Sequence, residues 1–250
     1  MLEDFEALDA PCGTDGDRRR GWEFVRAIMA AFDRPVAEGD GIDAGRVQAA
    51  NERLGGIPAA LREAYLLFGR RTDLTAAQDQ LLAPEQLRSN ADGILVFRVE
   101  NQYCASWGIR VPALGAGQDD PPAVVNVGRG WVPYSDRLSV ALVEMVLSEA
   151  LMSADLRVTD NRELDDETSA ALNASFVRLP IPDFPFWAGM TDSVRWFAGP
   201  DVLLRDDGGV WLWVLGRDPA AVRAVREALP GDWIQTADDG NDDQRTQVTP

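Results

Sequence analysis

The hydrophobic pattern changes period part-way along the chain, and that change restricts the possible folds more than any other feature. Trp22, Val25, Ile28, Met29 and Phe32 recur at helical spacing, which predicts an amphipathic helix from Gly21 to Phe32, ended at Arg34-Pro35. Asp43 is placed to cap a second helix carrying Val47, Ala50 and Leu54, stopped by Gly55-Gly56. Pro58 suits the first turn of a third, whose Leu61, Ala64, Tyr65 and Phe68 form one stripe. The period then shortens. "GILVFRVENQYCASWGIRV" predicts two strands around Glu100-Asn101, the second with Tyr103, Ala105, Trp107 and Ile109 alternating with Cys104, Ser106 and Gly108.

A strand through Val124 to Val127 follows, with Trp131 just beyond it. "YSDRLSVALVEMVLSEALMSA" is then helical, with Ser135 or Asp136 as its cap. Leu138, Leu142, Met145 and Met152 on one side, broadened by Val143 and Val146, predict substantial burial. After the charged stretch "DNRELDDETSAALN", Asp207-Gly208 between two β-like runs predicts a hairpin. Asp218 and Pro219 open a last helix, and Trp233-Ile234 give a final strand fragment. Trp107, Trp131, Trp187, Trp196, Trp211, Trp213 and Trp233 lie in or beside strands and are expected mainly to fill the core.

Helices first, antiparallel strands next, then a helix and more strands indicate an α+β fold, with N-terminal helices packed on an antiparallel or mixed sheet and a C-terminal hairpin and helix. The expected organisation is an N-terminal extension with one amphipathic helix over 1–40, a single domain over 41–235 and an acidic disordered tail over 236–250. No apolar run approaches the ~20 residues of a membrane span, and the acidic N-terminus lacks a signal-peptide pattern. The expectation is a cytoplasmic protein.

Composition narrows the chemistry. The sequence has no histidine and no lysine, so all 24 basic residues are arginine. Ser-His-Asp and Cys-His catalysis, histidine metal sites, Schiff-base chemistry and the phosphate-binding lysine of P-loops are therefore excluded. The two cysteines, Cys12 and Cys104, cannot supply a four-thiolate site, and an internal disulfide has little support. Oxygen-ligand metal sites, carboxylate chemistry or no chemistry remain. The net charge of −17 opposes nucleic acid and anionic membranes and suits a basic protein partner.

The stretch "GAGQDDPPAVVNVG" is the sharpest candidate site. Asp120 precedes a proline, which restricts it to extended geometry, and Pro121-Pro122 form a stiff lead-in to a strand. Rigidly presented Asp119 and Asp120 suit a binding role, yet Asp before Pro is also an ordinary turn device. A metal would need more oxygens than one Asp pair supplies, and Asp120 stands where a dinucleotide fingerprint needs its third glycine.

Taken in order, "AANERLGGIPAALREAYLLFG", "ILVFRVENQYCASWGI", "DDPP", Trp131 and "DRLSVALVEMVL" resemble the SMI1/KNR4 (SUKH) superfamily over about Val47 to Leu151. Ser175 to Ile234 is similar to the strand–hairpin–helix ending of longer actinobacterial members. Arg70-Arg71 departs from the small residues usual after Gly69, and the acidic extensions are outside the family pattern. The resemblance implies a curved-sheet α+β fold without an enzyme active site or cofactor. For many bacterial members it implies an immunity protein that binds and neutralises a polymorphic toxin, often a nuclease. The residues matching the family pattern are Asn101, Gln102, Trp107, Asp119, Asp120, Pro121, Pro122 and Trp131, as partner-binding or fold determinants. The expectation is a non-enzymatic module that covers a basic toxin domain, with no metal. The alternatives are a regulatory scaffold or ligand-binding module of unknown client, and an oxygen-ligand metal enzyme.

Overall fold

A computed structural model of the protein describes residues 17–111, 117–186, 188 and 193–234. Cys12, Trp187 and the tail over 236–250 lie outside the described residues. Seven α-helices and two antiparallel sheets among the described residues make the fold α+β. No helix there is long and apolar enough to cross a membrane.

Contacts within the chain gather in two compact units, divided between Ser153 and Ala154. The segment 41–235 extends over both units, and the helix expected in the 1–40 extension lies in the N-terminal one. Each half has its own antiparallel sheet with helices of its own, and the sequence at the division, "LMSADL" over 151–156, contains no proline or glycine.

In the N-terminal unit, helices α1 (Arg18–Ala31), α2 (Ala44–Arg53), α3 (Ala59–Phe68) and the single turn α4 (Thr72–Thr75) precede the strands. Asp17 caps α1 by accepting the Arg19 N–H, and Asp43 caps α2 by accepting that of Arg46, as expected for an acidic N-cap. The strands are β1 (Gln80–Leu81), β2 (Arg88–Ser89), β3 (Ile94–Val99), β4 (Ser106–Arg110), β5 (Ala123–Asn126) and β6 (Trp131–Ser135). They are ordered β1-β3-β4-β5-β6, with β2 also on β3. The unit ends in α5 (Leu138–Met152), against which α1, α3 and α4 pack.

Fourteen of the fifteen residues of α5 are buried, so the expected burial extends around nearly the whole helix. Trp22 of α1 meets Phe68 of α3 edge-on at 6.0 Å between ring centres. One local expectation fails here. Tyr103 is not on the core face of β4, because the strand starts only at Ser106 and Tyr103 sits in the preceding turn, 78% exposed. Trp131 begins a strand of its own, β6, which the proline within "WVPYS" conceals from an alternation test.

The C-terminal unit holds β7 (Thr159–Glu163), α6 (Asp166–Ser175), β8 (Val177–Arg178), β9 (Phe184–Pro185), β10 (Ser193–Gly199), β11 (Val202–Asp207), β12 (Trp211–Gly216) and α7 (Pro219–Ala228). Its sheet runs β7-β12-β11-β10-β8, with β9 also on β10. The predicted hairpin joins β11 to β12, with Gly208 and Gly209 both at positive φ. Asp218 caps α7, accepting from the N–H groups of Ala220 and Ala221.

The "DNRELDDETSAALN" stretch contains β7 and α6. Their inward residues include Asp160, Arg162 and Thr168 in place of a continuous apolar stripe, which hides both elements from hydrophobic periodicity. Trp233-Ile234 is not a strand. Trp233 packs into the core with Leu172, Leu212 and Leu229, and its indole N–H donates to the Leu229 carbonyl. Trp211 and Trp213 are half-buried, while Leu212 and Val214 on the opposite face are fully buried.

Gly108 has a packing reason. It faces Val96 across β3 and β4, and a Cβ there would collide with Ile94 Cγ2 and lie 2.9 Å from the Leu95 carbonyl oxygen. Gly108→Ala is expected to cost about 1–3 kcal/mol, measured as a lower urea midpoint. An unchanged midpoint would refute the packing account.

Candidate functional site

The Asp119–Pro122 turn precedes β5 and holds two helix starts. A helix leaves its first N–H groups without intrahelical acceptors, and a buried helix must find partners for them. In α5 the expected caps Ser135 and Asp136 do not fill this role. Arg137 is the N-cap residue and its side chain accepts nothing. Asp120 acts instead from a distant loop: Oδ1 accepts from the Ser139 N–H at 2.7 Å and Oδ2 from the Ser139 hydroxyl at 2.6 Å. Oδ2 also accepts from Arg137 Nε at 2.9 Å. The Pro121 carbonyl accepts the Leu138 N–H at 2.8 Å, and the Asp119 carbonyl accepts the Ala60 N–H of α3 at 3.0 Å. A carboxylate at a helix N-terminus is further favoured by the helix dipole.

Asp120 is therefore engaged within the fold. The Asp119 side chain is 64% exposed and stands 3.8 Å from Arg18 Nη1. Arg18 in turn binds Glu63 at 2.9 Å, and the Trp22 indole N–H donates to Glu63 at 2.8 Å. Burial works to raise the Glu63 pKa, but hydrogen bonds from Arg18 and Trp22 hold it below the ordinary carboxylate range. Pro121 is buried and Pro122 exposed.

Asn101 and Gln102 belong to the β3–β4 turn. Ser106 pairs with Asn126, so this turn lies at the end of β5 opposite the one where Asp119–Pro122 enter. The two groups of motif residues do not form one cluster. The turn is built on Glu100, a buried residue that sequence reasoning passed over. Its Oε2 accepts the N–H groups of Gln102 at 2.7 Å and Cys104 at 3.0 Å, while its backbone N–H donates to Ala105 and its carbonyl accepts from Tyr103. Tyr103 has φ +62, a left-handed conformation uncommon for a bulky residue, and Asn101 to Cys104 are all exposed.

Trp107 is buried beneath a second feature that was not anticipated. The Arg98 guanidinium lies 4.5 Å from the Trp107 ring centre and Tyr134 meets that ring edge-on. Arg98 Nη2 reaches Asp79 Oδ2 at 2.8 Å and Glu149 Oε1 at 2.9 Å, and Nη1 reaches Glu144 Oε2 at 3.3 Å. Glu149 also accepts the backbone N–H groups of Ala77, Gln78 and Asp79. Glu144 accepts the Tyr134 and Ser148 hydroxyls. Burial opposes the Arg98 charge, but Glu144, Asp79 and Glu149 together raise its pKa above the ordinary value, so it stays a cation. Glu144, Ser148 and Glu149 inside the apolar run "LSVALVEMVLSEALM" were the available signal, since acids in a buried helix demand a counter-charge. Trp131 is half-buried and its indole N–H donates to Asp92 at 3.0 Å.

Among the described residues, no group of three Cys, Asp or Glu side chains could hold a metal ion. A pocket of about 290 Å³ lies beside Asp119, lined by Asn51, Gly55, Gly56, Pro58 and Arg62 among others. A larger one, about 650 Å³, is in the C-terminal unit. No family model, curated protein or solved structure matches the chain.

Asp120→Ala should cost about 2–3 kcal/mol, because it leaves a buried helix N-terminus and Arg137 without their shared acceptor. Asp119→Ala should cost under about 0.5 kcal/mol, as an exposed pair contributes little. Equal urea midpoints for the two variants would contradict the capping role. Arg98→Ala should cost about 3–5 kcal/mol by stranding three buried carboxylates. Thermal unfolding followed by tryptophan fluorescence checks this, and a loss under about 1 kcal/mol would sink the account.

Proposed function

We propose that this chain is a non-enzymatic protein-binding module that neutralises a basic toxin domain by occupying its surface, the function implied by its resemblance to SMI1/KNR4-type immunity proteins. The Asn101–Cys104 turn is the observation that carries this reading. It presents Tyr103 outward on a backbone already held by Glu100. A rigid exposed tyrosine supplies contact area with little entropy to lose, the property of interface anchors. The left-handed φ of Tyr103 costs folding energy that a glycine would not, and strain kept at an exposed position points to function.

Charge supports the same reading. A net charge of −17 steers a basic partner and suppresses acidic ones, with an effect that weakens as salt rises. Asp120, the best candidate for carboxylate chemistry, is occupied with helix capping. The chain also contains no histidine or lysine to act as base or nucleophile.

Co-expression with toxins encoded beside this gene, followed by a binding titration at low and high salt, tests the proposal. The expected outcome is neutralisation and a Kd that rises with salt. Tyr103→Gly should weaken binding by about thirtyfold or more while leaving the melting temperature equal or higher, because it removes the anchor and relieves the strain. Absence of binding and neutralisation at low salt overturns the toxin reading. Unchanged binding by Tyr103→Gly removes the turn from it.

A further inference from the structure

Six of the seven buried acids among the described residues are paired with an arginine. Asp79, Glu144 and Glu149 meet Arg98, Asp160 meets Arg226, Asp206 meets Arg195 and Asp207 meets Arg205. Glu100 is the seventh. It is 4% exposed and has no ion pair among the described residues. A buried charge without a counter-charge is costly, and backbone N–H groups offset only part of that cost. A fold that supplies arginine to every other buried acid and withholds it here leaves a place for a cation from outside.

The two oxygens of Glu100 are used unequally. Oε2 accepts the N–H groups of Gln102 at 2.7 Å and Cys104 at 3.0 Å, which fills that oxygen's two lone pairs. Oε1 makes no hydrogen bond among the described residues, and it is not one of the unpartnered side-chain atoms closed off from solvent. It can therefore be reached from outside. The N–H groups bound by Oε2 flank Tyr103, so the open oxygen belongs to the same turn as that 78% exposed side chain.

The turn itself brings no positive charge, since Asn101, Gln102, Tyr103 and Cys104 are all uncharged side chains. The Glu100 carboxylate has already lost most of its water on folding and is fixed by two hydrogen bonds, so an arriving cation has little left to displace or to order. A carboxylate in low-dielectric surroundings also attracts a cation more strongly than an exposed one does, and the net charge of −17 concentrates cations around the chain.

We infer that Glu100 Oε1 receives the ammonium group of a lysine side chain of the partner, an inference that rests on the reading of the Asn101–Cys104 turn as the binding surface. An arginine binds a carboxylate best through two parallel bonds, one to each oxygen, and with Oε2 filled that fork is not available. A lysine ammonium is a compact point charge that needs only one acceptor oxygen. This chain contains no lysine, so a second copy of it cannot supply the group, and the occupant is a different polypeptide.

NMR titration of the full chain with N-acetyl-lysine methylamide, read at the backbone amides of Gln102 and Cys104, tests this without any toxin. Those amides should shift and saturate with a Kd on the order of 1–10 mM. The arginine derivative should bind at least about threefold more weakly, and the uncharged norleucine derivative should give no saturable shift. E100Q keeps an oxygen for the two N–H groups and places an amide NH2 at the open position. It should hold or raise the melting temperature and lose at least about tenfold in lysine affinity. Four results overturn the inference: no saturable shift at these amides by about 50 mM lysine derivative, norleucine shifting them equally, arginine binding as tightly as lysine, or E100Q binding lysine unchanged. The comparison of lysine with norleucine on the unaltered chain decides even where E100Q unfolds. A toxin bound through Tyr103 with no lysine response at these amides defeats this inference alone, whereas a lysine response with no toxin neutralised defeats only the toxin reading.

Discussion

A helix buried on almost every side must have its polar groups satisfied by protein, and the N-terminal unit is arranged around that requirement in α5. Water cannot reach the first N–H groups of the helix, and Arg137 offers no cap of its own. Asp120 and the Pro121 carbonyl provide the acceptors from a loop on the far side of β5 and β6 in sequence. Further along the same helix, Glu144 and Glu149 would be prohibitive as isolated buried charges. Arg98 from the sheet answers them, with Tyr134, Ser148 and three backbone N–H groups completing the acceptors' partners. Sheet and helix are thereby joined in one register by directional bonds as well as by apolar packing.

The absence of lysine has a structural counterpart. A planar guanidinium offers five donors in a fixed fork and loses water more readily than an ammonium. Arg98 uses that fork to reach three carboxylates while stacking on Trp107, and Arg162 uses it to bind three carbonyls and a hydroxyl within a buried corner. Arg226 binds the buried Asp160, and Arg205 binds Asp207. Several of the inward-facing residues of both sheets are thus charged, which a point-charge ammonium could not support in the same places.

This use of charge explains which elements were legible. Helices α1 to α3, the β3–β4 pair, the β11–β12 hairpin and α7 carry apolar stripes, alternation or caps adjacent in sequence, and each was anticipated close to its observed place. β6, β7 and α6 were not, because proline, charge or hydroxyls occupy the positions where a periodic pattern would show. Tyr103 was misassigned because alternation continues through the turn on paper, while Glu100 bends the backbone before the strand begins. Of the candidate site residues, Asp120 was legible as a stiff turn but not as the cap of a helix that starts at Leu138.

Sequence alone determined the α+β class, the excluded chemistries and the acidic character, since these follow from periodicity and residue inventory. It also placed the rigid Asp-Asp-Pro-Pro segment, because proline restricts its neighbours locally. Tertiary structure decided the partners: that Asp120 faces a helix end while Asp119 faces solvent, that Arg98 meets three acids, and that Glu100 turns to backbone N–H groups. The physical reason is the range of the interactions. Propensity and capping act within a few residues, whereas a buried charge is satisfied by whichever group the completed fold brings to it.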